Sequence, residues 1–261
     1  LGDKLDVPVW FGLIPDKSFV WADRLPENAV KVDEGSMNAM VHEFIGANVG
    51  YIDMTDALHG DDVFYRTDHH WTSLGAYYAY RDLMMAKGAV PAELNAFNEY
   101  KFEGFLGSFY AESGQNAKLG NNPDYVLAYE PKRLKKIHTF TKSGEINYSI
   151  ISDGNKLSAA NKYLTFVCGD HPYGIMTNPE ITDGSSCLVI KESFGNPLVP
   201  FLTQNYQTVY VVDYRYINQV FPGTLRQFVD ERGIQDVIFI NNISATRSPA
   251  LVNAMNAFVG E

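Results

Sequence analysis

Short, uniformly apolar runs alternate along this chain with stretches in which apolar residues recur every three or four positions. Uniform runs of this kind are typical of strands that are buried on both faces. They lie at residues 7–14, 49–54, 187–191, 208–212 and 237–240. Because these strands alternate with helical stretches, they predict an α/β fold in which helices cover both faces of a parallel sheet.

Helices are expected between these strands. The first has Ser36 as a plausible N-cap and one buried apolar stripe, formed by Met37, Met40, Val41, Phe44 and Ile45. A second helix is predicted to begin at Thr72 or Ser73 and to end near Gly88. Three more are predicted at residues 195–206, where Pro197 and Pro200 restrict the regular part, and at 224–231 and 249–259.

Residues 98–186 break this alternation. The segment is rich in Gly, Asn, Ser and Tyr, and its strand-like pieces are short, at residues 125–129, 146–151 and 163–167. We interpret it as an irregular, β-rich insertion within a single α/β domain that spans residues 1–261. Long excursions of this kind often build a substrate cleft.

The charge of the chain argues against two classes of partner. The sequence has 21 Lys and Arg against 31 Asp and Glu, a net charge of −10. Nucleic acid is bound by cations that neutralise its phosphates, so this balance disfavours nucleic acid, and an anionic membrane surface as well.

No apolar run approaches the roughly 20 residues that cross a bilayer. The sequence begins at Leu1 rather than at methionine, and we expect that a preceding segment, with room for a signal peptide or an anchor, is missing.

The cysteine content and the absence of the common nucleotide-binding motifs restrict the possible chemistry further. The two cysteines, Cys168 and Cys187, exclude a disulfide scaffold and leave open either one bridge or two buried thiols. Neither GxGxxG nor GxxxxGK[ST] occurs, so no nucleotide or other cofactor is predicted.

The first candidate site is the run YRTDHHWT at residues 65–72, between a strand and a helix. Loops of this kind usually bind the ligands of open α/β sheets. Asp68, His69 and His70 bring an acid and two imidazoles together there. They could instead cap and pack the start of the helix. They could also join other histidines at a metal, but consecutive ligands on one short turn are awkward and HExxH is absent, so we predict no metal site.

The second candidate site is the run KESFGN at residues 191–196, which follows a buried strand. Its Ser193 lies where the strand turns into a helix, which is the position of the nucleophile in a nucleophile elbow, although the GxSxG signature is absent. Backbone N–H groups at such a helix start can stabilise an oxyanion. The alternative is that Ser193 is an ordinary N-cap.

Together the two runs offer the three parts of a serine-dependent acyl-transfer site. A serine needs an imidazole base, and the base needs an orienting carboxylate. Asp68, His70 and Ser193 all lie in strand-to-helix loops, and in a parallel sheet those loops meet at one edge. The long separation in sequence is therefore no obstacle to a triad.

The run at residues 65–72 resembles the signature of the bacterial DHHW family, and four further segments fit the same family: residues 14–17 (IPDK), 189–196 (VIKESFGN), 212–216 (VDYRY) and 241–242 (NN). This family in turn resembles the SGNH-like domains of alginate O-acetylation proteins. The resemblance implies a three-layer, flavodoxin-like SGNH-hydrolase fold. In the alginate-type pattern the acid and the base are two positions apart, as Asp-x-His. This spacing selects Asp68 and His70, with His69 between them. The one departure is Glu192, where related motifs commonly have Asp before the nucleophile.

Relatives in these families are typically secreted or tethered outside the cytoplasmic membrane. They act on acetyl groups of cell-surface polysaccharide, often with a membrane-bound acyltransferase as partner. The resemblance therefore implies an extracytoplasmic O-acetyltransferase, if a sugar hydroxyl accepts the acetyl group, or an acetylesterase, if water does. The alternative is a non-catalytic glycan-binding or scaffold protein that keeps the fold.

In the expected mechanism His70 removes the proton of Ser193, and Asp68 holds the tautomer of His70. The Ser193 N–H would bind the oxyanion with help from neighbouring groups, for which the candidates are the Gly195 N–H, Asn196, Asn241 and Asn242. The residues expected to bind substrate are Tyr65, Arg66, Trp71, Asn196 and Arg215. Each has a structural alternative, such as an ion pair for Arg215 or a core anchor for Trp71.

Overall fold

The computed structural model describes residues 2–260. Its strands are β1 (Val9–Ile14), β2 (Val49–Asp53), β3 (Phe97–Phe105), β4 (Asp124–Pro131), β5 (Lys136–Thr141), β6 (Gly144–Ser149), β7 (Tyr173–Thr177), β8 (Ser186–Lys191), β9 (Thr208–Asp213) and β10 (Asp236–Asn242). Its α-helices are α1 (Lys17–Val20), α2 (Glu34–Phe44), α3 (Ser73–Ala86), α4 (Ser108–Glu112), α5 (Ala117–Gly120), α6 (Val199–Leu202), α7 (Leu225–Arg232) and α8 (Pro249–Val259).

The main sheet has the strand order β2-β1-β10-β8-β9-β7-β5-β6. Its first five strands are parallel, and the last three continue it in antiparallel orientation. The register pairs Leu13 with Asn241 and Lys191 with Asp213. The carboxyl ends of β1, β10, β8 and β9 therefore lie along one edge, and the loops that leave them can share a site.

Helices cover both faces of this sheet, which confirms the predicted α/β class. On one face α3 and α6 bury Tyr80, Leu83 and Phe201 against the strands. On the other face α7 and α8 bury Phe228 and Phe258. Strands β8 and β10 are buried along nearly their whole length because helices lie above and below them, and this burial accounts for their uniformly apolar sequence.

Residues 98–186 supply strands to two sheets. Strands β5, β6 and β7 extend the main sheet, while β3 and β4 form a separate antiparallel pair. The expected strands at 125–129 and 146–151 lie in or overlap β4 and β6. The expected strand at 163–167 is wrong, because residues Ala159–Thr165 form a 3₁₀ helix. Val167 and Cys168 then take positive φ values of 46° and 60°, which turn the chain at once.

Two helix predictions need correction. Asp33, not Ser36, caps α2, since its carboxylate accepts the backbone N–H of Ser36. The apolar stripe of α2 is not buried as a whole, because Met40 and Phe44 are 56% and 80% exposed. The strand that follows α2 is the edge strand β2, so the sheet does not extend under the outer half of the stripe.

The helix expected at residues 195–206 is shorter than predicted. A 3₁₀ turn at Ser193–Gly195 precedes the single α-helical turn α6. Pro197 and Pro200 lack the N–H that a longer helix would need. The start at Thr72 is confirmed, because its hydroxyl accepts the N–H of Gly75.

Two further features bear on the sequence predictions. Cys168 and Cys187 are both free thiols, and Cys187 is buried within β8. None of the helices within residues 2–260 combines the length and the apolar character that crossing a bilayer requires.

Substitution of Phe201, in α6, tests how much the aromatic packing between α3 and β3–β4 contributes to the stability of the fold. It is fully buried among the rings of Tyr77, Tyr80, Phe97 and Tyr129, with centroid distances of 5.1 to 5.9 Å. We expect Phe201→Ala to lower the free energy of unfolding by about 3–5 kcal/mol, as measured by urea unfolding.

The matched control is Phe44→Ala, at a ring that is 80% exposed. Its free energy of unfolding should stay within about 0.5 kcal/mol of the wild type. Equal losses in the two variants would contradict the assignment of the core.

Candidate active site

The loop at residues 65–70 is closed by its own backbone before it meets any other part of the chain. Phe64 and Trp71 form an antiparallel bridge, and Tyr65 N–H donates to His70 O at 3.2 Å. Thr72 N–H donates to Val63 O at 2.8 Å, so the loop leads directly into α3. This closure makes residues 65–70 a compact turn that presents Asp68 and His70 at the start of the helix.

Lys17, the first residue of α1, holds this loop from the β1 side. Its Nζ donates to the carbonyl oxygens of Tyr65 at 2.7 Å, Arg66 at 3.3 Å and Asp68 at 3.1 Å. Burial lowers the pKa of Lys17 to about 8, although Asp124 and Asp68 act in the opposite direction. The three carbonyls take up all three hydrogens of the ammonium group.

Asp124, the first residue of β4, holds the same loop from the opposite side. Its Oδ2 accepts the N–H of Thr67 at 2.7 Å and the hydroxyl of Thr67 at 2.6 Å, and its Oδ1 accepts the N–H of Arg66 at 3.0 Å. Thr67 is fully buried. Removal of this carboxylate would therefore leave buried donors without an acceptor.

Asp68, His70 and Ser193 form a continuous hydrogen-bonded chain. Asp68 Oδ1 lies 2.6 Å from His70 Nδ1, and His70 Nε2 lies 2.8 Å from Ser193 Oγ. The serine comes from the 3₁₀ turn after β8, 123 residues away from the histidine in sequence. The meeting of strand ends at one sheet edge thus brings the two sequence motifs into contact.

The carboxylate of Asp68 is fixed and ionised. Its Oδ2 accepts the N–H of Ser108 at 2.8 Å, and its Oδ1 also accepts the N–H of His70 at 2.9 Å. Burial by itself raises the pKa of Asp68, but the side chain of His70 and these amides outweigh it and hold the pKa well below its usual value. Gly107 packs directly on this carboxylate, where a Cβ would overlap it.

The imidazole of His70 lies between two rings. The ring of Tyr163 stacks on it, with a centroid distance of 3.9 Å and an interplanar angle of 14°. The ring of His69 is tilted relative to it by 34°, also with a centroid distance of 3.9 Å. The hydroxyl of Tyr163 donates to the backbone O of Ser193 at 3.0 Å. Tyr163 therefore positions both the imidazole and the turn that bears the serine.

Glu192 connects the serine turn to the end of β10. Its Oε2 accepts the N–H of Phe194 at 3.0 Å and lies 3.2 Å from Ser193 Oγ, while its Oε1 accepts the N–H of Asn242 at 2.9 Å. Burial raises the pKa of Glu192, although those two amides act in the opposite direction. The residue that departs from the related motifs thus contacts the serine hydroxyl directly.

A group of four charges, of which Lys191 and Asp213 are buried, supports the other side of the serine turn. Lys191 Nζ lies 3.2 Å from Asp170 and 3.4 Å from Asp213, and Arg215 Nη2 lies 2.7 Å and 2.6 Å from the same two carboxylates. Asn196 also donates to Asp170, at 2.9 Å. Burial opposes ionisation of Asp170, but Lys191 and Arg215 hold its pKa well below the usual value. Two cations and two anions here balance in charge.

The residues expected to bind substrate lie close to this site, and each is engaged within the protein. Tyr65, Trp71 and Asn196 are buried. Trp71 Nε1 donates to Phe194 O at 2.7 Å. Arg66 binds Asp124 and the carbonyls of residues 122 and 123, and Arg215 is held by the two carboxylates above.

Most of the groups expected to bind the oxyanion already have hydrogen-bond partners within the protein. The Gly195 N–H donates to Glu192 O at 3.0 Å, Asn196 is bound to Asp170, and Asn242 Nδ2 donates to Ile14 O at 3.1 Å. Within residues 2–260, only Asn241 among these side chains has neither amide atom hydrogen-bonded, and it is buried.

Several side chains that shape the site were not predicted. Ser108, Asp124, Tyr163 and Asp170 come from the irregular middle segment, where no periodicity indicates which polar residues point inward. Lys17 belongs to residues 14–17, a segment whose only signal in the sequence is its resemblance to a known family. Its position in the sequence does not connect it with residues 65–70.

Asp68, His69 and His70 are also the one group within the described chain whose potential metal-ligand atoms cluster, all within 4.8 Å. Asp68 Oδ1 is hydrogen-bonded to His70 Nδ1 at 2.6 Å, and His69 Nδ1 lies 2.7 Å from Ser108 Oγ. These three atoms therefore already have partners within the protein.

Comparison with known proteins gives a family and a fold. A family model described as DHHW protein matches residues 33–212. A crystal structure of a DHHW family protein from Eubacterium siraeum is similar at 26% identity and a TM-score of 0.83, covering 97% of this chain and 84% of that one. No curated protein matches the sequence.

Bacillus cereus PatB1 shares the fold at lower identity. Its structure has 19% identity and a TM-score of 0.77, over 94% of this chain and 85% of that one. A second structure of PatB1, with a sulfonyl adduct, has 19% identity and a TM-score of 0.78, over 96% and 87%.

The buried ammonium of Lys17 predicts a pH dependence of stability. Its pKa is about 8 in the fold against 10.5 for an ordinary lysine. Between these values the unfolded chain binds more protons than the folded chain, so this group makes the free energy of unfolding rise with pH. We therefore compare the free energy of unfolding of the wild type with that of Lys17→Met, by urea unfolding at a series of pH values. The difference, wild type minus variant, should be constant below pH 8 and should increase between pH 8 and pH 10.5.

The control is Lys156→Met, which removes a surface cation that is 84% exposed. A difference that declines between pH 8 and 10.5 for Lys17→Met, or the same rise in both variants, would contradict the burial of this ammonium.

Proposed function

Since this chain belongs to the DHHW family, we propose that it is a serine-dependent acyl-transfer enzyme, an O-acetyltransferase or acetylesterase of cell-surface polysaccharide. The observation that carries the proposal is the 2.8 Å hydrogen bond between Ser193 Oγ and His70 Nε2, with Asp68 on the other ring nitrogen. Asp68 is the acid, His70 the base and Ser193 the nucleophile of the proposed triad.

In the first half-reaction Ser193 Oγ attacks the carbonyl carbon of an acetyl ester, and His70 Nε2 takes the serine proton. The ionised Asp68 accepts the Nδ1–H, which leaves Nε2 as the acceptor and stabilises the imidazolium. The bond from the carbonyl carbon to the departing alcohol breaks, and His70 returns the proton to that alcohol. The product is an acetyl ester on Ser193.

In the second half-reaction an acceptor hydroxyl attacks the acetyl carbon as His70 takes the acceptor's proton. The bond to Ser193 Oγ breaks, and the serine recovers its proton from His70. Water as acceptor releases acetate, and a sugar hydroxyl gives an O-acetylated glycan. One triad serves both outcomes, so the reaction depends on which acceptor the site holds.

The setting of the reaction is part of the proposal. The resemblance of residues 65–72 and 189–196 to secreted and tethered relatives supports an extracytoplasmic protein. It also supports a membrane-bound acyltransferase as the source of the acetyl group. A signal or tether ahead of Leu1 remains a prediction.

Ser193→Ala tests the nucleophile. We expect cleavage of p-nitrophenyl acetate to fall by more than about 10³-fold, because the proposed ester intermediate forms on the Ser193 hydroxyl. The matched control, Ser143→Ala at an exposed turn, should keep the wild-type rate. A sulfonyl fluoride should also inactivate the wild type and add its mass to the peptide that holds Ser193.

Equal rates in Ser193→Ala and the wild type would remove Ser193 from the mechanism. If neither protein turned over any acetyl ester or transferred acetyl to any oligosaccharide, the glycan-binding alternative would be favoured.

Gly107→Ala tests the position of the acid. The added methyl group would overlap the Asp68 carboxylate. A displacement of the order of 1 Å is expected to lower kcat by roughly 10–100-fold. Gly35→Ala is the control, because the same added group there makes only ordinary contacts. Unchanged kcat in folded Gly107→Ala would show that the placement of Asp68 is not critical.

A further inference from the structure

A cavity of about 480 Å³ lies beside the proposed triad, on the side of His69. We propose that this cavity binds a neutral sugar unit of the acyl acceptor, and that His69 donates a hydrogen bond to that sugar and so favours it over water. The inference rests on the proposed acyl transfer and names the acceptor subsite of that reaction.

The cavity has the size and lining of a small-molecule site. Its volume falls in the range of about 300–1,000 Å³ that ligand pockets occupy. Trp21, Leu25 and Phe109 form an apolar wall, which suits the C–H face of a sugar ring. Asn242 and Ser244, whose side chains are hydrogen-bonded to each other, add polar groups to the lining.

Two of the lining residues connect the cavity to the triad. The ring of His69 lies 3.9 Å from the ring of His70. Asn242 N–H binds the carboxylate of Glu192, whose other oxygen lies 3.2 Å from Ser193 Oγ. The cavity is therefore connected to the base through one residue, His69, and to the nucleophile through two, Asn242 and Glu192.

The hydrogen bonds of Ser108 favour one tautomer of His69. Ser108 Oγ accepts the backbone N–H of His69 at 3.2 Å and lies 2.7 Å from His69 Nδ1. A hydroxyl that accepts from the amide can give its own hydrogen to Nδ1, which makes Nδ1 the acceptor and leaves the proton on Nε2. The imidazole is 46% exposed, so its Nε2–H is a donor available to a ligand.

The charges along the cavity are already paired, which favours a neutral ligand. Asp16 binds Arg247 at 2.7 Å, Lys17 donates to three backbone carbonyls, and Arg24 is paired with Asp61. An acidic sugar would have to displace one of these partners to find a cation.

The second half-reaction then has a defined arrangement. The acceptor hydroxyl in the cavity attacks the acetyl carbon on Ser193, His70 Nε2 takes the hydroxyl proton, and Ser193 Oγ leaves and recovers a proton from His70. His69 takes no proton in this sequence. Its Nε2–H binds a second oxygen of the same sugar and holds the attacking hydroxyl in place.

The test measures how one acetyl-enzyme divides between two acceptors. The enzyme is given p-nitrophenyl acetate with cellotetraose, and the ratio of acetylated cellotetraose to free acetate is measured by mass spectrometry. Both products come from the same intermediate, so a defect in forming it cancels from the ratio. A change in the ratio therefore reports on the acceptor site alone.

We expect His69→Phe, which keeps a ring but loses the donor, to lower this ratio by roughly tenfold. His69→Gln, which restores an N–H near the position of Nε2, should recover part of it. Ser18→Trp, at an exposed residue of the lining, should lower the ratio by filling the cavity. The control is His138→Phe, at a histidine on β5 whose side chain is 35% exposed and which lies near the opposite edge of the main sheet, and it should leave the ratio unchanged.

Three results would overturn the inference. They are an unchanged ratio in His69→Phe and Ser18→Trp, a preference for tetragalacturonate over cellotetraose, and no transfer to either sugar by a wild type that still cleaves the ester. None of these bears on the proposed triad, which the rate of ester cleavage in Ser193→Ala tests separately.

Discussion

The position of the loop at residues 65–70 depends on hydrogen bonds from three distant segments, and the proposed chemistry depends on that position. Lys17 binds three carbonyls of the loop, Asp124 binds its amides and the Thr67 hydroxyl, and Ser108 N–H binds the carboxylate of Asp68. The loop has no regular secondary structure to fix it. A loop held on several sides can place an imidazole within hydrogen-bond distance of a serine on another element, and this precision is what triad chemistry needs.

The serine turn is supported by a group of charges in addition to the hydrogen bonds that Glu192, Tyr163 and Trp71 make with its backbone. Lys191 is only 1% exposed, and a lone ammonium at such depth would be costly. Asp170 and Asp213 surround it, and Arg215 balances the second carboxylate. Removing one member would leave an uncompensated buried charge, so the group acts as a unit. Since Asp170 also binds Asn196, the same unit extends to the residues that follow Ser193.

The sequence predicted the sheet, its helical layers and the pairing of two motifs because each leaves a local pattern. Strands β8 and β10 are almost uniformly apolar, and Thr72 caps α3 as expected. The contributions of Tyr163 and Asp124 leave no such pattern, since each acts through one long-range contact from an irregular segment. The exposed face of α2 escaped prediction for a related reason: apolar periodicity shows which residues share a face, but not whether another element covers that face.

Two adjacent histidines take different roles here because their partners differ. His70 has a carboxylate on Nδ1, which favours the imidazolium that forms in each half-reaction. His69 has a hydroxyl on Nδ1, and burial together with the neighbouring His70 lowers its pKa, so it stays neutral when His70 becomes charged. Two cationic rings with centroids 3.9 Å apart would repel each other strongly in a partly buried site. In the proposed mechanism proton transfer therefore falls to His70, and a neutral His69 is left as the proposed hydrogen-bond donor to the ligand of the cavity beside it.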